Sequence, residues 1–109
     1  MKENKIQEIT MNLEIIRYFS AKKRLGENLT VKFEHVFNEK LDFIKTELED
    51  FMKSRGIDYL LLNELILLNS EFKNEKQYYE RLEALIEDFK RYIENNKDDL
   101  TSLHSIELG

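Results

Sequence analysis

Two histidines are the residues of this chain best suited to metal binding or proton transfer, because an imidazole titrates near neutral pH and ligates metals. His35 lies four residues before Glu39, so a helix would place both side chains on one face. No third ligand accompanies them, and no glutamate stands three residues before His35 or His104, as helical di-metal motifs require. The sequence therefore predicts a surface contact at His35 and no metal site.

Other groups that could perform catalysis or hold a cofactor are also missing. There is no cysteine, hence no thiolate nucleophile and no disulfide. The three glycines, Gly26, Gly56 and Gly109, are too far apart to form a loop that cradles a phosphate. We therefore expect no catalytic residue, no cofactor and no small-molecule substrate, and we do not expect an enzyme.

Lys22, Lys23 and Arg24 form a basic cluster, with Tyr18 close to it in the sequence. Such a cluster can contact a phosphate backbone or an acidic partner, although cations in the last turn of a helix also complement the helix dipole. The net charge is −5, and residues 57–109 hold six basic and twelve acidic groups, which disfavours a general nucleic-acid binder. The cluster is therefore a candidate basic patch and no more.

Length and composition indicate one soluble domain over residues 1–109. No run of 18 apolar residues could cross a membrane, and charges within the first twenty residues argue against a signal peptide. The absence of cysteine suits a reducing compartment. Twelve lysines against five arginines, with nine asparagines and two alanines, are typical of AT-rich coding. We expect a cytoplasmic protein of bacterial or phage type.

The first helix is predicted over about residues 4–25, because apolar residues from Ile6 to Phe19 follow the three-and-four spacing of a helical face. Gly26 then follows three basic residues, which is typical of a helix end. An alternative remains open over 9–16 and 29–34, because apolar and polar residues alternate strictly from Ile9 to Ile15 and again from Leu29 onward. Those two segments could instead form an N-terminal β-hairpin, followed by three helices, in an α+β fold.

Three further helices are predicted over about 30–55, 58–72 and 75–96. Short connections favour an antiparallel four-helix bundle, and hence an all-α fold. The tail 97–109, docked or flexible, has leucine spacing that permits a short fifth helix. Because the third helix is shorter than its neighbours, we expect the tail or a second copy of the protein to cover their apolar ends.

The third helix is apolar around most of its circumference, with Leu60 and Leu67 on one flank and Leu62 and Ile66 on the other. This surface exceeds what a simple bundle needs to bury. The fourth helix adds an acidic face. The candidate protein interface therefore comprises Leu60, Leu62, Ile66, Leu67, Tyr78, Tyr79, Glu83 and Glu87.

The leading functional hypothesis is a non-catalytic protein-binding regulator or inhibitor, of the antitoxin, immunity or anti-defence type, that acts through helix contacts. One alternative is a structural helical subunit that forms a homodimer or joins a larger complex. The other is a nucleic-acid binder that uses Lys22, Lys23 and Arg24. The partner expected in the first two cases is a protein, either a second copy of this chain or another.

Overall fold

The computed structural model describes the backbone of residues 1–108 and the side chains of residues 1–102. Over that part of the chain the protein is helical and contains no strand, which confirms the all-α fold. The elements are α1 (Glu3–Arg24), α2 (Phe33–Ser54), a 3-10 turn (Gly56–Asp58), α3 (Tyr59–Ser70), α4 (Lys76–Asn95) and α5 (Lys97–Leu108).

The alternative β-hairpin is wrong. Residues 9–16 lie inside α1, and residues 29–32 lead into α2 without pairing to any strand. The alternating apolar residues lie instead on two faces of α1. Ile9 and Leu13 are in the core, and Met11 is 60% exposed on the far side of the helix. A helix that carries apolar residues on two faces can mimic the period of a strand over a few residues.

The four long helices form a closed ring in which α1 packs on α2 and α4, and α3 packs on the same two helices. With short connections, this is the predicted antiparallel bundle, and α1 and α3 occupy opposite corners of it. The described chain measures 49 × 26 × 20 Å. None of its described helices combines the length and the apolar character needed to span a bilayer.

Helices α1 and α2 end where the glycines predict. Gly26 has φ of 81° and Gly56 has φ of 67°, a left-handed conformation that glycine adopts without a steric penalty. Helix α2 begins at Phe33, three residues later than predicted, with Lys32 as an N-cap that makes no side-chain hydrogen bond. Helix α3 ends at Ser70, so that Phe72 lies in the loop before α4.

One apolar core runs between the helices and is lined by the residues that the spacing predicted. Because α1 and α2 each have 22 residues and α4 has 20, the 12-residue α3 is too short to cover the full length of their core faces. Fully buried side chains at the centre of the core include Ile9, Leu13, Ile16, Phe37, Ile44, Leu48, Leu62, Leu65, Leu82 and Phe89.

The loop between α3 and α4 covers one end of the core. Phe72 in this loop packs against three aromatic rings of α2 and α4, with ring centroids between 5.4 and 6.3 Å away. We call this set the aromatic cluster, and it comprises Phe33, Phe37, Phe72, Tyr78 and Tyr79.

Helix α5 covers the opposite end of the core. Leu100 is fully buried, and its carbonyl oxygen accepts a 2.8 Å hydrogen bond from the amino group of Met1. Asp99 lies 3.0 Å from Arg55, just before the 3-10 turn, and the Tyr92 hydroxyl donates to Asp58 at 2.8 Å. The first turn of α5 is thus attached to α1, to α4 and to the segment after α2.

Candidate protein-interaction surface

The groups considered for metal chemistry lie apart from any cluster of ligands. His35 is exposed on α2, and Glu39 on the next turn pairs with Lys40 at 3.2 Å. Among the side chains of residues 1–102, no three histidine, aspartate or glutamate groups lie close enough to share a metal ion. The side chain of His104 lies outside the described residues.

The outer side of α3 carries three exposed aliphatic side chains. Leu60 is 61% exposed and Leu67 46%, while Ile57, in the preceding 3-10 turn, is 77% exposed. Residues 60 and 67 lie two turns apart and project from nearly the same angle of the helix, since each residue advances by about 100°. We call Ile57, Leu60 and Leu67 the α3 stripe. Two residues of the predicted interface, Leu60 and Leu67, thus form part of an exposed apolar surface.

The other apolar residues of the predicted interface are not free. Leu62 is fully buried, because it faces α2 and α4 together with Leu65 and Leu68, and Ile66 is half-buried beside it. Tyr78 and Tyr79 are 7% and 1% exposed. Leu62, Tyr78 and Tyr79, which the sequence placed in the candidate interface, therefore lie in the core, because each of them packs between the helices.

The two tyrosines retain hydrogen bonds despite their burial. The Tyr78 hydroxyl donates to the carbonyl oxygen of Leu68 at 2.5 Å, in the last turn of α3, and the Tyr79 hydroxyl donates to Asn74 at 2.8 Å. Burial raises the pKa of Tyr79 to about 12, and it raises the pKa of Tyr78 and of Tyr92 as well. Each phenol is therefore held in its neutral form.

These tyrosines should make the folded protein sensitive to alkaline pH. A pKa that is higher in the folded than in the unfolded chain gives a contribution that is complete below about pH 10 and is lost as the pH rises further. For Tyr79 the loss extends to its folded pKa of about 12. We expect the unfolding free energy from urea titrations to fall through this window, by up to about 1.4 kcal/mol per pH unit for each such tyrosine.

The variant Tyr79→Phe should flatten that alkaline fall, because it removes one of the titrating groups. The matched control is Leu48→Ala, at a fully buried residue that does not titrate, which should lower the free energy of unfolding without changing its slope with pH. Equal slopes in Tyr79→Phe and in the unmodified protein would contradict the assignment.

The acidic residues proposed for the interface pair with cations of α1 instead of standing free. Arg24 donates two hydrogen bonds to Glu83, of 2.9 and 3.3 Å, and only 16% of the Glu83 side chain is exposed. Glu87 is 52% exposed and lies 3.7 Å from Arg17 and 3.6 Å from Lys90. Spacing along one helix predicted which face these residues share, but not the partner across the helix boundary.

The candidate basic patch is partly neutralised by the same contacts. Arg24 is engaged by Glu83, and the ammonium group of Lys22 lies 3.5 Å from Glu27 and 5.0 Å from the centre of the Tyr18 ring. Its pKa is raised, first by the contact with Tyr18 and then by Glu27. The patch therefore offers an anion fewer unpaired charges than the sequence indicated.

A groove of about 500 Å³ lies between α1 and α4 and was not predicted. Ile6 and Ile93 form its apolar floor and are nearly buried. At its rim Glu14 accepts hydrogen bonds from Arg17, at 2.9 Å, and from Lys90. The contact with Arg17, and then that with Lys90, lowers the pKa of Glu14, so the carboxylate stays charged.

The outer face of α1 is a second apolar surface that sequence reasoning missed. Met11, Tyr18 and Leu25, at the end of the helix, are 60%, 54% and 67% exposed, with half-buried Ile15 between the first two. We call these four residues the α1 stripe. Their spacing of four, three and seven residues was available as a signal, but Met11 and Ile15 were considered only as part of the alternation that supported the alternative hairpin.

No protein-family model matches this chain, and neither a curated protein nor a solved structure shows significant similarity to it.

Proposed function

We propose that this protein is a non-catalytic binding protein that regulates or inhibits a protein partner, and that the α3 stripe is its contact surface. The observation that supports this is a group of three large aliphatic side chains, 46% to 77% exposed, two on one face of α3 and the third in the 3-10 turn before it. Burying each such side chain is worth roughly 1.5 to 3 kcal/mol. A partner groove that covers the stripe would gain much of that energy.

The charges beside the α3 stripe favour a partner with a basic rim. Glu64 lies between Leu60 and Leu67 on the same side of the helix, and Glu71 follows one turn later. The Glu64 side chain is 45% exposed and reaches Arg81 at 3.2 Å, on α4. Two carboxylates against one arginine leave an excess of negative charge around this apolar contact, and such an excess steers association toward a complementary surface.

The proposed biological setting rests on the sequence. Small size, a net charge of −5 and the lack of cysteine suit a cytoplasmic accessory protein of a bacterium or phage, of the antitoxin, immunity or anti-defence type. Proteins of these types act by covering a surface of a target, and this requires an exposed contact face without catalytic groups. The basic-patch alternative, nucleic-acid binding, is disfavoured by the contacts of Arg24 with Glu83 and of Lys22 with Glu27.

The double variant Leu60→Glu with Leu67→Glu should abolish partner binding while the fold is retained, since both side chains are exposed. Tagged protein would be recovered from the cells that encode it, and co-purifying proteins would be quantified by mass spectrometry. We expect one specific protein to be depleted at least about tenfold by the variant, as for loss of central contact residues.

The matched control adds two glutamates to the exposed face of α2, as Asn38→Glu with Thr46→Glu. This variant should recover the same partner as the unmodified protein, because it adds equal charge away from the α3 stripe. Equal recovery by the α3 variant, or no protein above background with the unmodified chain, would argue against the proposal. Circular dichroism melting checks that both variants remain folded.

The alternative of a homodimer through the third helix is less favoured than binding to a different protein. If two copies of α3 paired antiparallel about a two-fold axis midway between Leu60 and Leu67, Glu64 of each copy would face Glu64 of the other. Like charges brought together in a contact are destabilising, and α3 itself carries neither lysine nor arginine, so that within each chain the cation observed at Glu64 is Arg81 of α4.

A further inference from the structure

Helix α1 is apolar on two opposite faces, and the side chains of residues 1–102 bury one of them. Ile9, Leu13 and Ile16 are fully buried against α2 and α4. Met11 and Tyr18 lie on the outer side of the same helix and are more than half exposed. Over the residues whose side chains are described, this second face of α1 is therefore exposed and not packed in the bundle.

The part of the α1 stripe from Met11 to Tyr18 lies between charges of opposite sign, so two copies of it can pair with each other. Along the outer side of α1 the order is Glu8, Met11, Ile15, Tyr18 and Lys22, with spacings of three, four, three and four. The row thus runs from an acidic residue through three apolar residues to a basic residue. A second copy in the reverse direction presents the same row with the charges exchanged.

We propose that the α1 stripe is a two-fold interface with a second copy of this chain, in which the two α1 helices pack antiparallel. Ile15 then lies at the two-fold axis, Met11 faces Tyr18 of the second copy, and Glu8 faces Lys22. Within each chain Glu8 lies 3.7 Å from Lys5 and Lys22 lies 3.5 Å from Glu27, and both pairs are exposed, so the intermolecular pairs add to these contacts. The two ion pairs and the antiparallel helix dipoles favour this orientation over the parallel one. This surface is separate from the α3 stripe and does not depend on the function proposed for it.

The groove between α1 and α4 provides a concave surface at the edge of this interface. Met11 forms part of its lining, with Gln7 and Thr10 on the same side of α1 and the nearly buried Ile6 below them. Since Tyr18 of the second copy is placed opposite Met11, its ring enters this groove. An aromatic side chain in a pocket, with charged residues at the rim, is the arrangement typical of the centre of an interface.

The mass of the full chain in solution tests the proposal. One chain has a mass of 13.2 kDa, and multi-angle light scattering over a concentration series should approach twice that value. Met11→Glu with Tyr18→Glu should give the single-chain mass, whereas Leu60→Glu with Leu67→Glu, an equal change on the opposite side of the bundle, should remain a dimer. A single-chain mass at every concentration, or a dimer lost only in the α3 variant, would overturn the interface.

Charge reversal tests the orientation without adding charge to an apolar position. Glu8→Lys and Lys22→Glu should each raise the dimer dissociation constant roughly 2- to 30-fold, because each creates two like-charge contacts in place of exposed ion pairs. The double variant that combines the two changes should restore the dissociation constant of the unmodified protein. The two residues lie about 21 Å apart in one chain, so restoration cannot arise within a monomer. A double variant as weak as the single ones would rule out antiparallel α1 pairing.

Discussion

Replacement of Phe37 by alanine is expected to lower the free energy of unfolding by about 3 to 5 kcal/mol. Phe37 is fully buried on α2, and its ring lies 5.7 Å from that of Phe33 within the aromatic cluster. The change removes a fully buried ring at the end of the core that the aromatic cluster closes. The cavity cannot collapse easily, because the loop that carries Phe72 is already packed against the cluster.

This loss is a large part of the total stability of a domain of this size, which is about 5 to 15 kcal/mol. We expect thermal denaturation, followed by circular dichroism, to show a melting temperature at least about 10 °C lower. His35→Ala is the matched control, since this residue is exposed on the same turn of α2 and its loss should cost less than about 0.5 kcal/mol. Similar melting of both variants would show that the cluster contributes little.

Replacement of Leu100 by alanine is the second large expected effect, at about 2 to 5 kcal/mol. Leu100 is the fully buried residue by which α5 covers the end of the core opposite to the aromatic cluster. Arg55 and Asp99, 3.0 Å apart, are exposed and should contribute little by comparison. The stabilisation supplied by the described part of α5 therefore comes mainly from this single side chain.

Chemical denaturation of Leu100→Ala should show the loss as a lower midpoint, and Ser102→Ala, at an exposed position two residues later, should show none. A chain that ends at Asp99 should be destabilised at least as much as Leu100→Ala. If that shortened chain unfolded at the same denaturant concentration as the full chain, the covering role of α5 would be excluded.

The helices were predictable because each carries two independent local signals. In α1 and α2 the three-and-four spacing of core residues indicates a helix, and Gly26 and Gly56 mark the ends through a conformation that depends on one residue alone. The start of α2 was less predictable. Asn28 and Thr30 could have capped an earlier start, but Phe33 is drawn into the aromatic cluster by contacts with residues about forty positions later.

The candidate surface was predicted only in part, because burial depends on packing between helices. The apolar circumference of α3 was evident from the sequence, yet nothing local determines that Leu62 faces inward and Leu60 outward. That choice is made by the directions in which α2 and α4 lie. In the same way Tyr78 and Tyr79 are buried by residues distant in the sequence, since Phe33 of α2 packs on Tyr79 and Leu68 of α3 accepts a hydrogen bond from Tyr78.

Pairs across the α1 and α4 boundary were not predictable at all. Arg24 and Glu83 are 59 residues apart, and a single sequence carries no signal that joins them. The same holds for Glu14 and Lys90, which are 76 residues apart. The sequence predicts charged residues on the faces of α1 and α4, but which of them pair depends on how far one helix is shifted along its axis relative to the other.

The positions of α1 and α3 at opposite corners of the bundle have a consequence for valency. Because their exposed faces point in opposite directions, occupation of one leaves the other sterically accessible. A dimer closed through α1 would carry two α3 stripes on its far sides, and so would be a bivalent ligand. Against a partner that is itself multimeric and suitably spaced, such a ligand gains avidity of about 100-fold or more over a single contact, with no additional residue at either surface.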